Sequence, residues 1–386
     1  MLSVLQVTPE LNAGGVERTT LEIAEAVNRA GGLALVASAG GRLEADLEAA
    51  GGELIRLPVN SKNPIDIFAN AERLARVAKD RGVRLIHARS RAPAWSAIMA
   101  ARRLKLPFVT TYHGVYNARG PLKRWYNSVM AKGDLVIANS EYTRQHLIAE
   151  HNTDPARVIA IPRGVDLALF DPAKVTAEQA AAMRISWGMK RGDVRDDART
   201  VVILPARLTR WKGQRVFIEA LSRLEARRPF LVKAILAGDA QGRLAYVEEL
   251  NEAAAAAGLR ETVAIVGHMG HMAAAFAASD IAVFPVIEPE AFGRGAVEAQ
   301  AMGLPVIASR LGGYTETVVE GETGLLVEPN DPEALAAAIE SLVDAGRESR
   351  VAMGHRGRAR VQQLYTKTTL QDSTLKVYER LLGAQT

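Results

Sequence analysis

The strongest constraint on the fold is the alternation of short apolar runs with segments of helical periodicity along nearly the whole chain. Leu2–Val7 predicts a buried strand, and Val16–Ala30 predicts a helix with one apolar face. Further strands are predicted at Leu33–Ala37, Leu85–Ala88, Phe108–Thr111, Leu135–Ala138, Val158–Ile161, Val201–Leu204, Leu231–Leu236, Val263–Val266, Ile281–Phe284, Val306–Ala308 and Gly324–Val327. This alternation is typical of parallel sheets covered by helices on both faces, so we expect an α/β fold with doubly wound sheets.

The pattern is interrupted once, in the polar and charged stretch at residues 171–199. A chain of 386 residues is long enough for two or three domains of ordinary size. We therefore predict an N-terminal domain at 1–170, a linker at 171–199 and a C-terminal domain at 200–367. Because ligands of doubly wound sheets bind beyond the carboxyl ends of the strands, we expect the two domains to face each other across a cleft.

Composition excludes several classes of protein. The chain has no cysteine, which rules out disulfides, thiolate metal sites and cysteine nucleophiles. No run approaches the roughly 18 apolar residues that a membrane span needs, and Leu2–Val7 is too short for the apolar region of a leader. We expect a cytoplasmic protein.

Two loops between a strand and a helix carry residues suited to phosphate. Gly14 and Gly15 follow the first strand, where small residues allow close approach to a helix N-terminus. Arg207 and Lys212 follow a later strand, and two cations beside a helix start suit a diphosphate. Each feature also has a simpler interpretation, a tight turn in the first case and two solvated cations in the second.

The most informative run extends from Glu288 to Ser309. Glu290 lies in a loop after a strand, the Phe292-Gly293 pair begins a helix, and Glu298 lies within that helix. Carboxylates accept hydrogen bonds from vicinal hydroxyls, which is how proteins recognise sugars and ribose. The helix start between the two carboxylates can hold a phosphate.

These motifs, taken in order, resemble those of the retaining glycosyltransferases of family 4, which have the GT-B fold. The resemblance rests on Glu290-x7-Glu298 with Phe292-Gly293 and on the run Gly303-x-Pro305-Val-Ile-Ala. It also rests on Arg207-x4-Lys212-Gly213, the Gly14-Gly15 loop, Tyr112-His113-Gly114 and Ala138-Asn139-Ser140-Glu141. The matching elements extend from residue 2 to about 330, in a group that includes lipopolysaccharide and exopolysaccharide enzymes.

The resemblance implies a site for a nucleotide-diphosphate sugar, with UDP or GDP as the nucleotide. Four residues would be catalytic: Glu290, His113, Arg207 and Lys212. The donor-binding set that the resemblance implies is Gly14, Gly15, Arg207, Lys212, Gly267, His268, Met269, Glu290, Ala291, Phe292, Gly293, Arg294 and Glu298. The last helix, at about Thr368–Leu382, would pack back on the N-terminal domain, as it does in other GT-B enzymes.

The expected reaction needs no metal. No two aspartates stand two residues apart, so the Asp-x-Asp metal motif is absent from the sequence. Fixed cations and a helix N-terminus can stabilise a departing nucleotide instead of a metal. The resemblance further implies transfer with retention of anomeric configuration, by front-face attack and without an assigned enzyme nucleophile.

Two residues depart from the family pattern, and both add charge. Arg294 stands where an aliphatic residue is usual, and Arg163 stands where asparagine is usual. Both leave the identity of the donor open. His268 and His271 are close enough in sequence for a metal site, although turn residues are the simpler interpretation, and no metal ligand is assigned.

Positive charge is concentrated in one stretch of the first half. Residues 81–133 hold eleven Lys and Arg and no Asp or Glu, a distribution that suits a polyanion or an anionic membrane surface. Within it, Lys123 and Arg124 adjoin Trp125 and Tyr126, as at a membrane interface. The alternatives are a solvated face and a nucleic-acid surface, but no nucleic-acid-binding motif is present.

Together these features predict a hexosyl-type glycosyltransferase acting on a glycan or lipid-linked acceptor, in lipopolysaccharide or other surface-polysaccharide synthesis at the inner face of the plasma membrane. Two alternatives remain open at this point. One is a catalytically silent protein that binds a nucleotide sugar or docks on a membrane. The other is a GT-B sugar-nucleotide epimerase.

Overall fold

A computed structural model of the protein describes residues 2–12, 14–116, 120–189 and 199–383. The chain divides into two compact units, one formed by Met1–Gly164 with Lys367–Thr386 and the other by Val165–Thr366. Residues 190–198 of the predicted linker and Arg119 of the basic stretch lie outside the described residues.

The first unit is built on a seven-stranded parallel sheet in the order β3-β2-β1-β4-β5-β6-β7. The second unit has a six-stranded parallel sheet in the order β10-β9-β8-β11-β12-β13. The strands within the described residues are β1 (Ser3–Val7), β2 (Leu33–Ser38), β3 (Gly52–Arg56), β4 (Leu85–Ala88), β5 (Phe108–Tyr112), β6 (Leu135–Ala138), β7 (Val158–Ala160), β8 (Thr200–Pro205), β9 (Val232–Ala237), β10 (Val263–Gly267), β11 (Ile281–Phe284), β12 (Val306–Ser309) and β13 (Gly324–Val327). The predicted doubly wound α/β fold is thus confirmed in both units.

Helices connect almost every pair of strands. Within the described residues they are α1 (Gly15–Arg29), α2 (Glu44–Ala49), α3 (Pro64–Asp80), α4 (Arg91–Leu104), α5 (Pro121–Asn127), α6 (Glu141–His151), α7 (Ala177–Ser186), α8 (Gln214–Arg227), α9 (Leu244–Ala256), α10 (Met272–Ala277), α11 (Arg294–Ala301), α12 (Tyr314–Thr317), α13 (Pro332–Asp344), α14 (Gly346–Leu364) and α15 (Lys367–Gly383). Short 3₁₀ turns lie at Ser128–Ala131, Pro155–Arg157, Pro172–Lys174 and Arg210–Lys212.

Alternation along the strands places apolar residues on both faces of the first sheet. Leu5 and Val7 belong to the cluster that packs beneath α3 and α4, whereas Val4 belongs to the cluster that includes Val377 and Tyr378 of α15. A strand buried on both faces reads as a continuous apolar run, which explains why these strands were readily predicted.

The last helix packs against the first unit, as the resemblance implied. The hydroxyl of Tyr378 lies 2.6 Å from Nδ1 of His87, and the side-chain amide of Gln371 donates to the backbone oxygen of Glu22 at 2.7 Å. These bonds tie α15 to strand β4 and helix α1. Two parts of the chain separated by the whole second unit therefore form one core.

The observed boundaries differ from the predicted ones in two places. Strand β3 was not predicted, because Gly52–Arg56 is only half-buried at the edge of the sheet and includes two charged residues. Residues 165–170, predicted as the end of the N-terminal domain, and residues 171–189, predicted as linker, belong to the second unit, and the latter hold helix α7. A capping box between Thr176 and Gln179 starts this helix, and Arg184 fastens it to the carbonyl of Ala278 at 2.8 Å.

Candidate functional site

The predicted donor residues of the second unit follow strands β8, β10 and β11. The strand order changes direction between β8 and β11, and the loops after these two strands hold Arg207, Lys212 and Glu290. Ligands of doubly wound sheets bind at such a switch point, beyond the carboxyl ends of the strands. The topology thus brings both parts of the predicted donor site to one place in this unit.

Lys212 and Glu290 form an ion pair between Nζ and Oε2. Their side chains are only 14% and 22% exposed, so solvent screens the pair less than it would on an open surface. The ammonium group also lies 4.0 Å from the centre of the Trp211 ring, which is an attractive cation–π distance. The cation predicted to hold a diphosphate is therefore paired with the carboxylate predicted to hold the sugar.

A close backbone approach makes this pair possible. The amide of Ile287 donates to the carbonyl of Trp211 at 2.9 Å and joins the two loops. At Gly213, whose φ is +77°, a Cβ would lie 1.7 Å from the carbonyl oxygen of Pro285. Only glycine fits this contact without a shift of the backbone.

The segment that carries Glu290 is anchored from the other side. The amide of Gly313 donates to the carbonyl of Glu290 at 2.7 Å, and Tyr314 is fully buried beneath Gly293. Burial raises the pKa of the Tyr314 phenol well above its ordinary value, and the nearby Glu290 carboxylate adds to the rise. The phenol of Tyr314 is therefore neutral.

Helix α11 begins directly after this segment. Its N-cap, Gly293, has a φ of +85°, and the Nε of Arg294 donates to Oε1 of Glu298 at 2.8 Å. The side chains of Arg294 and Glu298 are 23% and 18% exposed. Arg294, which departs from the family pattern, thus contacts the carboxylate that the resemblance assigns to ribose. Ala291 and Phe292 connect Glu290 to the start of helix α11, so the predicted residues form one continuous segment.

Arg207 and the β10 loop lie nearby but do not join the ion pair. The amide of Gly238 donates to the carbonyl of Gly267 at 2.7 Å, and the amide of Leu208 donates to the carbonyl of Asp239 at 3.0 Å. These bonds place the loops after β8, β9 and β10 side by side. Among the described residues, the exposed guanidinium of Arg207 has no acidic partner, and His268 is likewise exposed.

The remaining predicted residues, Gly14, Gly15 and His113, lie at the carboxyl edge of the sheet in the first unit. Nη2 of Arg163 donates to Nδ1 of His113 at 3.0 Å. Nη1 of the same guanidinium lies 1.9 Å from the position that a Cβ on Gly15 would occupy. Arg163, noted only as a departure from the family pattern, therefore connects two residues that the resemblance placed in the site.

The electrostatic environment keeps His113 neutral. Burial lowers its pKa well below the ordinary value, and the charges of Arg163 and Arg89 lower it further. Because a guanidinium can only donate, Nδ1 accepts and the ring proton lies on Nε2. Nε2 is buried and has no hydrogen-bond partner among the described residues.

Sequence reasoning missed a buried polar network in the same unit. Arg89 is 1% exposed and its Nε donates to Oε1 of Gln6 at 2.7 Å, while the ring of His87 bonds to Tyr378 and Thr111. The available signal was a polar residue within an apolar strand, at Gln6 and His87. No group of three or more His, Cys, Asp or Glu capable of holding a metal lies within the described part of the chain.

Family models match most of the chain. The model described as Glycosyltransferase Family 4 matches residues 13–169, and the model described as Glycosyl transferases group 1 matches residues 189–360. Residues 170–188, just after the division between the structural units, separate the two matches.

Solved structures agree with these matches. A glycosyltransferase from Rickettsia africae ESF-5 is 34% identical, with a TM-score of 0.90 over 99% of this chain and 98% of that one. Anabaena HepE, crystallised with UDP and glucose, is 24% identical, with a TM-score of 0.83 over 98% of this chain and all of that one. The second likeness shows the fold alone.

Curated relatives include D-inositol 3-phosphate glycosyltransferases. The enzyme from Corynebacterium glutamicum is 31% identical over 57% of this chain and 51% of its own length. The one from Xylanimonas cellulosilytica is 29% identical over 68% of this chain and 64% of its own length. The chain thus spans about half to two thirds of the length of these relatives.

Proposed function

Because this chain belongs to glycosyltransferase family 4 and has the GT-B fold, we propose that it transfers a hexosyl group from a nucleotide-diphosphate sugar to a hydroxyl of a glycan or lipid-linked acceptor. The observation that carries the proposal is the junction of the β8 and β11 loops. There Lys212, Glu290 and the start of α11 lie together at the switch point of the sheet.

Each of these groups has a role that its chemistry supports. Lys212 would exchange Glu290 for the donor diphosphate, and the exposed guanidinium of Arg207 would add a second cation to stabilise the departing nucleotide. Glu290, released from Lys212, would accept from hydroxyls of the transferred sugar. Glu298 would accept from the ribose hydroxyls, with the ring of the nucleobase beside Gly267, His268 and Met269.

The proposed reaction is retaining and needs no metal. Two cations and the positive end of α11 supply the leaving-group stabilisation that a metal would otherwise provide. Neutral His113, with its proton on Nε2, is suited to donate a hydrogen bond to the sugar rather than to act as an acid. We assign no nucleophile.

UDP is the nucleotide that we propose to test first. Anabaena HepE was crystallised with UDP and with UDP-glucose, and the curated relatives are named as D-inositol 3-phosphate glycosyltransferases. GDP-sugars belong in the same test.

The decisive variant is Glu290→Gln, which removes the sugar contact and frees Lys212. We expect UDP binding, measured by calorimetry, to be retained or strengthened, while transfer or slow hydrolysis of the donor sugar falls by about 100-fold or more, which is about 2.7 kcal/mol of barrier. Glu288→Gln, at an exposed position two residues earlier, is the matched control.

Equal loss of UDP binding and turnover in Glu290→Gln would contradict the sugar-contact role. UDP binding without any turnover in the native protein would favour the silent binding protein. Release of an epimerised nucleotide sugar, without transfer, would favour the epimerase. Addition of EDTA is expected to leave both binding and turnover unchanged.

We further propose that the first unit rests on an anionic membrane surface in lipopolysaccharide or other surface-polysaccharide synthesis. The basic stretch supports this less than its sequence suggested. Arg89 is buried, and four other cations pair with acids from outside the stretch: Arg81 with Glu53, Arg102 with Asp134, Arg103 with Glu72 and Arg124 with Glu150. No helix within the described residues is long and apolar enough to cross a bilayer.

An apolar patch next to the remaining cations supports the membrane proposal better. We call it the α3–α5 patch; it consists of Ile65, Phe68, Leu122 and Trp125, which are 76%, 66%, 76% and 57% exposed. Helix α4 joins its two halves, because Ser96 bonds to the carbonyl of Ile67 and Trp95 stacks on Trp125. Exposed apolar and aromatic side chains near lysines are typical of interfacial membrane contacts.

The test is flotation with vesicles that contain anionic lipid. Phe68→Glu with Leu122→Glu is expected to abolish binding at low and moderate salt, whereas Leu244→Glu, an equally exposed position in the second unit, should leave it unchanged. Unchanged flotation of the double variant would rule out docking through this patch.

A further inference from the structure

Tyr365, which directly follows α14, packs against the segment of the second unit that carries Glu290. Its ring lies edge-on to that of Phe292, with 5.5 Å between the ring centres and an angle of 75° between the planes. Phe292 and Tyr365 are both buried, so this contact is part of the core. Phe292 lies between Glu290, the proposed sugar contact, and Gly293, the N-cap of α11, so the position of its ring helps to fix both.

The ring of Tyr365 is held in one orientation by its hydroxyl. The hydroxyl donates to the carbonyl of Glu316 at 3.1 Å and accepts from Nη2 of Arg360 at 3.3 Å. The same Nη2 donates to the carbonyl of Glu316 at 3.0 Å, which closes a triangle of hydrogen bonds. Glu316 belongs to α12, the helix that also places Tyr314 beneath Gly293. Two adjacent residues of the donor segment are therefore supported by groups that these bonds hold together.

The backbone of Tyr365 is joined to a different part of the chain. The chain passes between the two units at Gly164–Val165 and again at Thr366–Lys367. The carbonyl of Tyr365 accepts from the amide of Val165 at 2.8 Å, and Val165 pairs with Thr366 in an isolated parallel bridge. One residue thus contacts the donor segment through its ring and the first residue of the second unit through its backbone.

A second side chain makes a similar connection at the other end of α11. The guanidinium of Arg358 donates to the carbonyl of Ala301, the last residue of α11, and to Oδ1 of Asp171 at 3.1 Å. Asp171 lies in the segment that begins the second unit. The two helices pack closely here, because a Cβ on Gly354 would lie 1.8 Å from the carbonyl oxygen of Gly303. Helix α11 is thus held at both ends by α14 and the residue that follows it.

We infer that Tyr365 is a positioning residue for the proposed transfer. Its ring holds Phe292, and thereby Glu290 and the start of α11, while its backbone holds Val165 at the connection between the units. The inference rests on the proposed function and adds a residue that acts through Phe292. An edge-to-face ring pair has a preferred geometry, so it fixes a position as well as burying area. Such precision matters for catalysis, because a displacement of about 1 Å can lower the rate about 100-fold.

The test compares donor turnover, UDP affinity and urea unfolding in Tyr365→Leu, Tyr365→Phe and Phe276→Leu. Tyr365→Leu removes the ring contact and should lower kcat for transfer or donor hydrolysis at least about tenfold, while UDP affinity changes by less than about threefold. Tyr365→Phe keeps the ring and should restore most of kcat. Phe276→Leu is the matched control, because it removes a fully buried ring that packs on Phe170 in the same core cluster. Both leucine variants should lose stability, but only Tyr365→Leu should lose kcat.

Hydrogen exchange of the native protein, read at residue resolution, is a second measurement that does not depend on the folding of a variant. The amide of Val165 should exchange more slowly at saturating UDP, because the ligand orders the segment on which Tyr365 packs. The control is the amide of Val201, which donates to Oδ2 of Asp280 at 2.8 Å near the amino end of β8, at the edge opposite the donor loops. UDP should slow exchange at Val165 by a larger factor than at Val201.

An unchanged kcat in folded Tyr365→Leu would overturn the inference, and so would an equal loss of kcat in Phe276→Leu. Exchange at Val165 that does not respond to UDP would overturn it as well. A native protein that neither binds UDP nor turns over a donor sugar would refute the proposed function, and this inference with it. A native protein that turns over the donor, with the loss of kcat confined to Tyr365→Leu, would support both.

Discussion

The contact between Gly213 and the carbonyl of Pro285 makes a sharp prediction, because it positions Lys212 beside Glu290. In Gly213→Ala, the new Cβ would lie 1.7 Å from the Pro285 oxygen and would have to move by about 1.3 Å to reach the closest separation that real Cβ atoms show. The φ of +77° adds a second cost, since an L-residue is strained there by roughly 1–2 kcal/mol.

Gly258→Ala separates these two costs. Gly258 has a φ of +73°, but a Cβ there would meet no atom within 4 Å. Its strain is offset by the stiffer unfolded chain, by about 0.4–1 kcal/mol, so we expect a net loss of about 0.5–1 kcal/mol. Gly213→Ala adds the cost of displacing a packed backbone, about 1–3 kcal/mol, for a total of about 2–4 kcal/mol.

The assay is urea unfolding of both variants, followed by UDP titration of the folded proteins. Gly213→Ala should lower the free energy of unfolding by at least 1 kcal/mol more than Gly258→Ala, and it alone should weaken UDP binding. Equal destabilisation of the two variants would refute the argument that this backbone contact is tight and that it fixes Lys212.

Three further predictions concern other contacts. Tyr378→Phe removes one of the two hydrogen-bond partners of buried His87 and a partner of buried Arg89, and should cost about 2–3 kcal/mol in urea unfolding. Tyr126→Phe removes a hydroxyl that has no partner among the described residues and should cost almost nothing. The pKa values of His87 and His113 are lowered in the folded state, so protonation of these histidines favours unfolding. The free energy of unfolding should therefore fall as the pH drops below about 6.5, by about 1 kcal/mol per histidine between about pH 6.5 and 5.5. In urea unfolding at several pH values, His113→Gln should show a weaker dependence on pH. Arg294→Leu removes the hydrogen bond that holds Glu298, the carboxylate proposed to accept from the ribose hydroxyls. Calorimetry should therefore show a smaller difference in affinity between UDP and 2′-deoxy-UDP than in the native protein.

Local patterns predicted most of the fold because nearly every strand is buried on both faces. Such strands form continuous apolar runs, and the glycine and proline residues between them mark the turns. Edge strand β3 and helix α7 were missed for the same physical reason. Both are only partly buried, so their charged residues resemble those of a loop.

The candidate site was predictable only where it is continuous in sequence. The run from Glu290 to Glu298 can be recognised from the sequence alone, and Arg207 and Lys212 stand at a recognisable turn. The pairing of Lys212 with Glu290 depends on Gly213 meeting Pro285, which are 72 positions apart and give no joint signal in one sequence. Similarly, the acidic residues that pair with Arg81, Arg102, Arg103 and Arg124 lie outside the basic stretch. A count of charges within the stretch therefore overestimated the positive charge of this surface.

The attachment of α15 to the first unit has a consequence for the order of events on the ribosome. Gln6, His87 and Arg89 are synthesised before the second unit, whereas Tyr378, which completes their hydrogen-bond network, is synthesised after it. The whole of Val165–Thr366 is synthesised in between and holds its own two ends together, because the amide of Val165 donates to the carbonyl of Tyr365 at 2.8 Å. The second unit can therefore finish folding before Tyr378 is available to complete the core of the first unit. A nascent chain stalled before residue 367 should show a protease-resistant second unit and a protease-sensitive first one.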